Sequence, residues 1–361
     1  MLGLLLCSTA AATQDFDDAY EQCPRLPDPL ERLVCFDSFV LTPATGPQLA
    51  DEISRLSAER ARLQQGYVGL STHEPNKVLA RSDGNDFNRL YMDATLSVKH
   101  PVLSPAVDGI SRLFNLEQEQ LPRLYLAFTS RFSQYIGSRA SAPVVARSYN
   151  PELFLRVWRS RNESNVDPSY WDFAYGHESN GQRINNAVSF EQEKQSLLAA
   201  GQLPLFARDS ISRGWDYVSV DWHRQWDTGF LPNLRGRTET HIEYRHFLED
   251  GLFQGVPEEA YEWEGVGVGE KPRARYDGLE FSMQYNLINQ MCSQLICFEK
   301  VELAHQTGYA NPFANNTTTL EVTTNIGGLP LHLWARSGYN SDLVDYFRYS
   351  NSWGFGVEFL R

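Results

Sequence analysis

The chain has 361 residues and carries 32 Lys and Arg against 45 Asp and Glu, a net charge of −13 at neutral pH. This length fits one large or two ordinary domains, and the negative charge argues against a nucleic-acid partner. No unbroken apolar run approaches the ~18 residues of a membrane-spanning helix. Two classes remain: a soluble protein, and a membrane β-barrel whose polar interior hides its lipid-facing side chains from averaged hydropathy.

The first residues are typical of a secretory signal. Residues 1–6 are apolar, and the following Cys-Ser-Thr-Ala-Ala-Ala ends in small residues. We therefore predict a signal peptide over 1–12 with cleavage after Ala12. A disordered apolar start is the alternative. Cys7 does not lie in a convincing lipobox, because the two residues before it are both Leu.

Cleavage after the signal would leave four cysteines in two local pairs. These are Cys23 with Cys35 and Cys292 with Cys297. An even number of cysteines in an exported protein favours two small-loop disulfides. A metal site is the weaker alternative, because no further His or Cys lies at ligand spacing beside either pair.

Residues 13–67 are predicted to form a small N-terminal segment. Asp and Pro are frequent around Cys23 and Cys35, which we expect to form a disulfide, and 47–65 has the apolar spacing of a short surface helix. Nothing in this segment suggests a chemical function.

In the rest of the chain, apolar and polar residues alternate with a period of two, most clearly over 88–99, 277–287 and 353–359. Strands of roughly 9–11 residues with one apolar and one polar face are what a transmembrane β-barrel requires, and closure removes unpaired edges. A soluble β-sandwich is the competing fold, although its strands are usually shorter, about 5–6 residues. We predict an all-β chain, with a transmembrane antiparallel β-barrel over 68–361 and residues 13–67 in the periplasm.

One segment places a histidine and a serine on an apolar strand face. His177 and Ser179 continue the face of three aromatic residues, because side-chain direction repeats every two residues along a strand. Those residues are Trp171, Phe173 and Tyr175. The histidine and serine would stand roughly 7 Å apart, at two rises of about 3.3 Å. A nucleophile and base on such a face would suit an apolar substrate, but an isolated His-x-Ser usually has no function.

Asp216 supplies the third group that such a pair needs. A serine hydroxyl requires a base, and the base requires a partner that fixes its tautomer. Asp216 belongs to a second alternating segment, 215–222, and shares its apolar face. If 171–179 and 215–222 are neighbouring antiparallel strands, Asp216 lies beside His177 at the barrel rim. The three residues would then form a Ser–His–Asp relay on the outer face.

Two other features are weaker. Residues 190–203, within the long connection between these strands, have the pattern of a short amphipathic helix in an extracellular loop. We expect it to contact lipopolysaccharide or to cover the active site; a solvated loop without a role is the alternative. His241 and His246 are predicted to be exposed or lumenal rather than metal ligands.

The two motifs together resemble a known family. Residues 177–181 (His-Glu-Ser-Asn-Gly) and 212–216 (Ser-Arg-Gly-Trp-Asp) resemble the active-site motif of the outer membrane phospholipase A family. Residues 141–155 resemble the strand before its catalytic hairpin, and 337–346 its penultimate loop. The resemblance extends from about residue 68 to the end of the chain. It implies a barrel of about twelve strands that hydrolyses phospholipid acyl esters and is activated by calcium-dependent dimerisation.

The resemblance also implies catalytic roles. Ser179 would be the nucleophile, His177 the general base, and Asp216 the group that orients the imidazole. The family often has Asn in the last of these positions. Asp keeps the acceptor and adds a charge that stabilises imidazolium, so we expect activity to be retained.

By the same resemblance, a Ca²⁺ ion would lie beside the nucleophile and partly across a homodimer interface. Its ligands would be the Ser212 hydroxyl, the Gln182 carbonyl and Ser141 of the partner subunit, a chemistry that calcium accepts. With the Gly181 N–H, a calcium-bound water would stabilise the tetrahedral oxyanion. An insertion after Gly181 departs from the family pattern, so the carbonyl of Ala207 is an alternative ligand.

We therefore predict a calcium-dependent phospholipase A1/A2 and lysophospholipase in the outer membrane of a Gram-negative bacterium, acting on membrane phospholipids as a homodimer. One alternative is an acyl hydrolase of lipid A. The other is a passive outer-membrane pore or structural barrel with a non-functional site.

Overall fold

A computed structural model describes nine stretches of the chain. These are 70–83, 90–102, 122–136, 144–160, 169–231, 234–254, 272–292, 296–327 and 329–359. The chain divides into two units, Met1–Tyr67 and Val68–Arg361, and every described residue belongs to the second. The predictions for residues 1–12 and 13–67, including the Cys23–Cys35 disulfide, and the prediction for Ser141 lie outside the described residues.

The described residues form one antiparallel sheet that closes on itself. Its strands are β1 Ser71–Thr72, β2 Asn76–Asp83, β3 Leu90–Val102, β4 Arg123–Tyr135, β5 Val144–Ser160, β6 Ser169–Ser179, β7 Gly214–Leu231, β8 Leu234–Phe247, β9 Gly278–Cys292, β10 Ile296–Gly308, β11 Asn316–Ile326, β12 Leu329–Gly338 and β13 Ser350–Phe359. Strands β2 to β13 each pair with their chain neighbours, and β13 also pairs with β2. The two-residue β1 pairs with β3 beside β2. The result is a closed barrel of twelve strands, as predicted.

Burial alternates along the strands with the polar side chains inside. In β6, Trp171 and Phe173 are 38% and 46% exposed, whereas Asp172 between them is 5% exposed. Arg156 of β5 donates to both carboxylate oxygens of Asp172, at 2.8 and 2.7 Å. A soluble sandwich would bury its apolar face instead. The outward apolar belt and the polar lumen are those of a barrel that spans a membrane.

The strands predicted from alternation are present as β3, β9 and β13, and the predicted neighbours 171–179 and 215–222 are β6 and β7. The main difference is the length of β7, which runs to Leu231 instead of ending at 222. Backbone pairing with β8 continues there, although the side chains no longer alternate between apolar and polar.

The two rims of the barrel differ in their connections. At one rim, only two or three residues separate β7 from β8, β9 from β10 and β11 from β12; at the other, the connections 180–213, 248–277 and 339–349 are long. Outer-membrane barrels have short periplasmic turns and longer extracellular loops. The ends of β6 and β7 that carry the candidate site therefore lie at the extracellular rim. At the periplasmic rim, Cys297 is disulfide-bonded and is the register partner of Cys292, in agreement with the second predicted disulfide.

The long β6–β7 connection contains the helix α1, Ala187–Ala199, and a 3₁₀ helix, Pro204–Ser210. The Asn186 side chain caps α1 by accepting from the Ser189 N–H at 2.9 Å. The predicted helix over 190–203 is thus confirmed, but it starts and ends earlier. Only Phe190 of α1 is buried, so its amphipathic character is weaker than predicted. Among the described residues, no helix has the length and apolar character of a membrane span.

Two apolar clusters hold the extracellular loops together. The first joins the β6–β7 connection to the loop 339–349 and the second joins that loop to β7 and β8. Their buried members are Ile184, Phe190, Ala207, Ile211 and Val344 in the first, and Trp215, Tyr217, Phe247, Leu343 and Tyr346 in the second. Leu343 and Tyr346 also line the lumenal cavity of about 770 Å³. Packed side chains therefore support the extracellular end of β7, which carries part of the candidate site.

Candidate active site

His177 and Asp216 are direct neighbours across the β6–β7 pair. The register aligns His177 with Asp216 and Ser179 with Gly214. The Nδ1 atom of His177 lies 2.5 Å from Oδ1 of Asp216. Ser179 follows His177 on the same outward face, so the structure brings together the three residues selected from the sequence.

Asp216 is buried, whereas the sequence predicted an outward-facing carboxylate on the barrel exterior. Its exposed fraction is 0%, because the segment 248–254 after β8 lies over it. The Phe253 N–H donates to Oδ2 at 2.8 Å. A Cβ on Gly251 would stand 1.9 Å from the same oxygen, so this close approach requires glycine. The strand face is outward as predicted, and the loop is what removes the carboxylate from the surface.

Tyr175 provides a further donor to the same carboxylate. Its hydroxyl donates to Asp216 Oδ2 at 2.6 Å and accepts from the Leu252 N–H at 2.7 Å. Oδ1 therefore faces His177, while Oδ2 takes Tyr175 and Phe253. The sequence placed Tyr175 on the correct face but gave it no role beyond the aromatic stripe. Nothing in the sequence indicated that the segment 248–254, the covering loop, would lie over Asp216.

Gly214 leaves space beside Ser179. A Cβ on Gly214 would lie 3.0 Å from Ser179 Cβ and 3.6 Å from His177 Cε1. The serine and the imidazole thus border the same space, which a side chain at 214 would fill. Among the described residues, the Ser179 hydroxyl has no hydrogen-bond partner. Catalytic hydrogen bonds are often long before substrate binds, so this geometry is compatible with a serine nucleophile and a histidine base.

Asn180 fixes the chain where it leaves β6. Its side chain is 3% exposed, donates to the Ile211 carbonyl at 2.7 Å and accepts from the Arg213 N–H at 2.9 Å. Gly181 follows with φ +58°, a conformation that favours glycine. No hydrogen bond within the described part of the chain uses the Gly181 N–H, which leaves this donor for a ligand. An Asn-Gly pair indicates a turn, but the sequence did not reveal the hydrogen bonds of Asn180 to Ile211 and Arg213.

The lumenal side of β6 is braced by an ion-pair network. Glu178, between His177 and Ser179, accepts from Arg273 at 2.6 Å and from Ser148 at 2.8 Å. Arg273 belongs to the 3₁₀ helix Arg273–Arg275 and also bonds Asp277 at 2.9 Å. The strand that carries the candidate nucleophile and base is therefore held from inside the barrel.

The predicted calcium ligands lie on two adjoining segments, except for Ser141, which is outside the described residues. The Ser212 N–H donates to the Ile184 carbonyl at 2.8 Å, so the segment of Ser212 runs beside the segment that follows Gln182. Ser212 and Gln182 are half-buried, and no side chain in the described ranges hydrogen-bonds to the Ser212 hydroxyl. Hydroxyl and carbonyl oxygens of this kind suit calcium. Ala207 is 0% exposed in an apolar cluster, which makes Gln182 the better candidate.

His241 and His246 lie on opposite faces of β8. His241 lines the lumenal cavity, and His246 packs on the outside against Tyr309, with ring centroids 5.3 Å apart. One is therefore lumenal and the other exposed, and they do not share a site.

No family model matches the chain, and no curated protein is significantly similar to it in sequence. Solved structures do resemble it. Outer membrane phospholipase A from Escherichia coli has a TM-score of 0.51 at 13% identity, covering 80% of this chain and 97% of its own. An active-site mutant of that protein gives 0.53 at 14%, covering 82% and 95%.

The outer membrane phospholipase of Salmonella typhi, a dimer with bound calcium, is similar to the same degree. Its TM-score is 0.52 at 13% identity, covering 83% of this chain and 95% of its own. Likeness at this level of identity establishes the fold. The chain therefore has the fold of outer membrane phospholipase A, a twelve-stranded barrel of the outer membrane.

Proposed function

We propose that this chain is a calcium-dependent phospholipase A that hydrolyses phospholipid acyl esters at the outer face of its barrel. The observation that carries the proposal is the hydrogen bond of His177 to the buried carboxylate of Asp216, beside Ser179 on a lipid-facing strand. Trp171 and Phe173 of the same face are exposed, so the membrane itself is the nearest source of substrate. The fold shared with solved phospholipases supports the same reaction.

In the proposed reaction, the Ser179 oxygen attacks the acyl carbonyl carbon and passes its proton to Nε2 of His177. Asp216 holds the Nδ1 proton and stabilises the imidazolium. The Gly181 N–H donates to the oxyanion. Collapse of the tetrahedral intermediate expels the lysophospholipid alkoxide, which takes the proton from His177. Water then repeats the sequence on the acyl-enzyme, releasing the fatty acid and restoring Ser179.

Calcium fits the oxygen donors beside the nucleophile. Ser212 and Gln182 would hold it, with Ser141 of the partner subunit in a homodimer. When bound, the ion supplies positive charge next to the developing oxyanion. The calcium-bound dimer described for the Salmonella protein supports extending both features to this chain.

The covering loop offers a surface for an acyl chain. Leu252 and Phe253 are 83% and 70% exposed, and the Phe253 ring lies edge-on to His177 with centroids 5.8 Å apart. Exposed apolar side chains beside a catalytic histidine favour a substrate with a long apolar tail. We propose that the acyl chain of the bound phospholipid contacts this loop.

The test is hydrolysis of phospholipid in mixed micelles by the purified full chain. Ser179→Ala should reduce the rate at least ~10³-fold, and chelation of calcium should have a comparable effect. Ser196→Ala, an exposed position on α1, is the matched control and should leave the rate unchanged. Heat-modifiable migration on a gel checks that each variant is folded. Undiminished hydrolysis by folded Ser179→Ala would disprove the mechanism.

Two alternatives are tested by the same preparation. Parallel assays on phospholipid and lipid A separate a phospholipase from a lipid A hydrolase. A passive pore would show ion conductance without hydrolysis. The enzyme is supported over the open pore by Leu343 and Tyr346, two buried side chains of the loop 339–349 that line the lumenal cavity.

A further inference from the structure

We propose that the barrel lumen contains a binding site for a divalent transition-metal ion of the zinc type, formed by Asp221, His223 and His241. The three residues each offer one ligand atom, and these atoms lie within 4.8 Å of one another. This site is separate from the outer face, where Ser179 and the proposed calcium ligands lie.

The register of two strands creates the cluster. His223 of β7 is the direct cross-strand neighbour of His241 of β8, and their rings stack with centroids 4.3 Å apart at 20°. Asp221 precedes His223 by two residues and shares its inward face. The His241 Nε2 atom lies 3.0 Å from Asp221 Oδ1. All three side chains therefore converge from adjacent, rigidly paired backbones.

The types of ligand in the cluster favour a zinc-type ion. Two imidazoles and one carboxylate are ligands that zinc takes at about 2.0–2.2 Å, with a further position left for water. The three ligand atoms already lie within 4.8 Å of one another, so we expect side-chain rotations to bring them to those distances from one ion. Calcium prefers oxygen ligands throughout, so this set distinguishes the lumenal site from the proposed calcium site.

Access from the lumen and the hydrogen bonds of the three residues support the same conclusion. Asp221, His223 and His241 all line the cavity of about 770 Å³, so an ion would reach them from water in the lumen. Within the described ranges, the hydrogen-bond donors to Asp221 are Ser219 and His241. The His223 ring stacks on Tyr170 at 4.5 Å and has no hydrogen-bond partner among the described residues.

His332, another inward-facing histidine, shows the contrasting case. His332 is fully buried between Glu321 and Glu358, at 3.2 Å from each. Lys77 and Lys300 pair with these two carboxylates at 2.6 and 2.9 Å. Lysines already neutralise that cluster, whereas no lysine in the described ranges forms a salt bridge with Asp221.

The experiment uses the full chain, purified in detergent and stripped with a chelator. Titration with Zn²⁺ by calorimetry should show one tight equivalent, and bound Zn²⁺ should raise the unfolding temperature because it links β7 to β8. His223→Gln and His241→Gln should each weaken binding at least tenfold. His246→Gln, on the outer face of the same strand, is the matched control and should bind as the unmodified chain does.

A direct readout on the unmodified chain does not depend on the folding of any variant. X-ray absorption of the zinc-bound protein should show two imidazole ligands. The proposal is overturned by the absence of stoichiometric binding, by a zinc spectrum without imidazole, or by equal affinity in folded His223→Gln and His241→Gln. Loss of phospholipid hydrolysis would not bear on it, because the cluster lies on the other side of the sheet from Ser179.

Discussion

The Nδ1 atom of His177 lies 2.5 Å from Oδ1 of Asp216, and Asp216 has no exposed surface. Moving a carboxylate out of water is costly unless donors replace its hydration. Here the replacement comes from His177, from the Tyr175 hydroxyl and from the Phe253 N–H. The imidazole is therefore oriented by a carboxylate whose own position is fixed by the hydrogen bonds from Tyr175 and Phe253.

Tyr175→Phe should reduce kcat about 10- to 100-fold with little change in KM, because a hydrogen bond to a charged group contributes about 1.5–3 kcal/mol. The change also leaves the Leu252 N–H without its acceptor. Steady-state hydrolysis of a phospholipid measures both constants. The matched control is Tyr244→Phe, an outward tyrosine of β8 that should be neutral. An equal loss in both variants would mean that the effect is structural and not specific to Asp216.

Asp216→Asn should lower activity by at least about tenfold, even though an amide oxygen still accepts from His177. The new NH₂ group would face the Phe253 N–H, and a buried donor left without an acceptor costs about 1–3 kcal/mol. The loop 248–254 should therefore exchange its amide hydrogens faster than in the unmodified chain. Unchanged kcat together with unchanged exchange would show that the charge of Asp216 is not needed.

Gly251→Ala should abolish most activity without unfolding the barrel. The added Cβ would meet Asp216 Oδ2 at 1.9 Å, so the loop must move and the Phe253 N–H contact is lost. Glu249→Ala is the control within the same loop, because Glu249 is exposed and the change keeps every backbone donor. Loop displacement is measured by limited proteolysis between residues 248 and 254. Full activity in Gly251→Ala would show that the covering loop is not required.

The loop 339–349 should make stability depend on pH. Burial, together with the nearby Asp345 carboxylate, raises the pKa of Asp342 to about 6, above its unfolded value of about 3.8. The folded state therefore favours the protonated form. The contribution of Asp342 to stability is full below pH ~4 and is lost as the pH rises through about 6.

Asp342→Asn should flatten this dependence. An amide oxygen can still accept from the Val344 and Asp345 N–H groups, both at 2.7 Å in the native loop, and it carries no charge. Unfolding temperatures between pH 4 and 7 measure the effect. A slope as steep in the variant as in the unmodified chain would assign it to another group.

The barrel and the pairing of the site could be predicted because both depend on period-two alternation. The outward face of β6 and the placement of Asp216 beside His177 follow from side-chain direction and from the resemblance of two short motifs. Backbone pairing does not depend on alternation, which is why the end of β7 at Leu231 was missed.

The covering of Asp216 could not be predicted, because it depends on where a loop folds back in space. Gly251 and Phe253 are distant in sequence from β6 and belong to no regular pattern. The hydrogen bonds of Asn180 likewise depend on Ile211 and Arg213, which lie at the other end of the long β6–β7 connection. The pairing of His223 with His241 required the register of β7 and β8, which the sequence alone did not define.

Covalent labelling shows whether His177 and Asp216 activate the Ser179 hydroxyl. A sulfonyl fluoride reacts with a serine whose hydroxyl is activated by a neighbouring base, and peptide mass spectrometry locates the adduct. We expect a single adduct on Ser179 that requires calcium, falls strongly in Asp216→Asn and disappears in His177→Ala. An adduct on a different serine, or equal labelling of Ser179 in His177→Ala, would contradict the proposed mechanism.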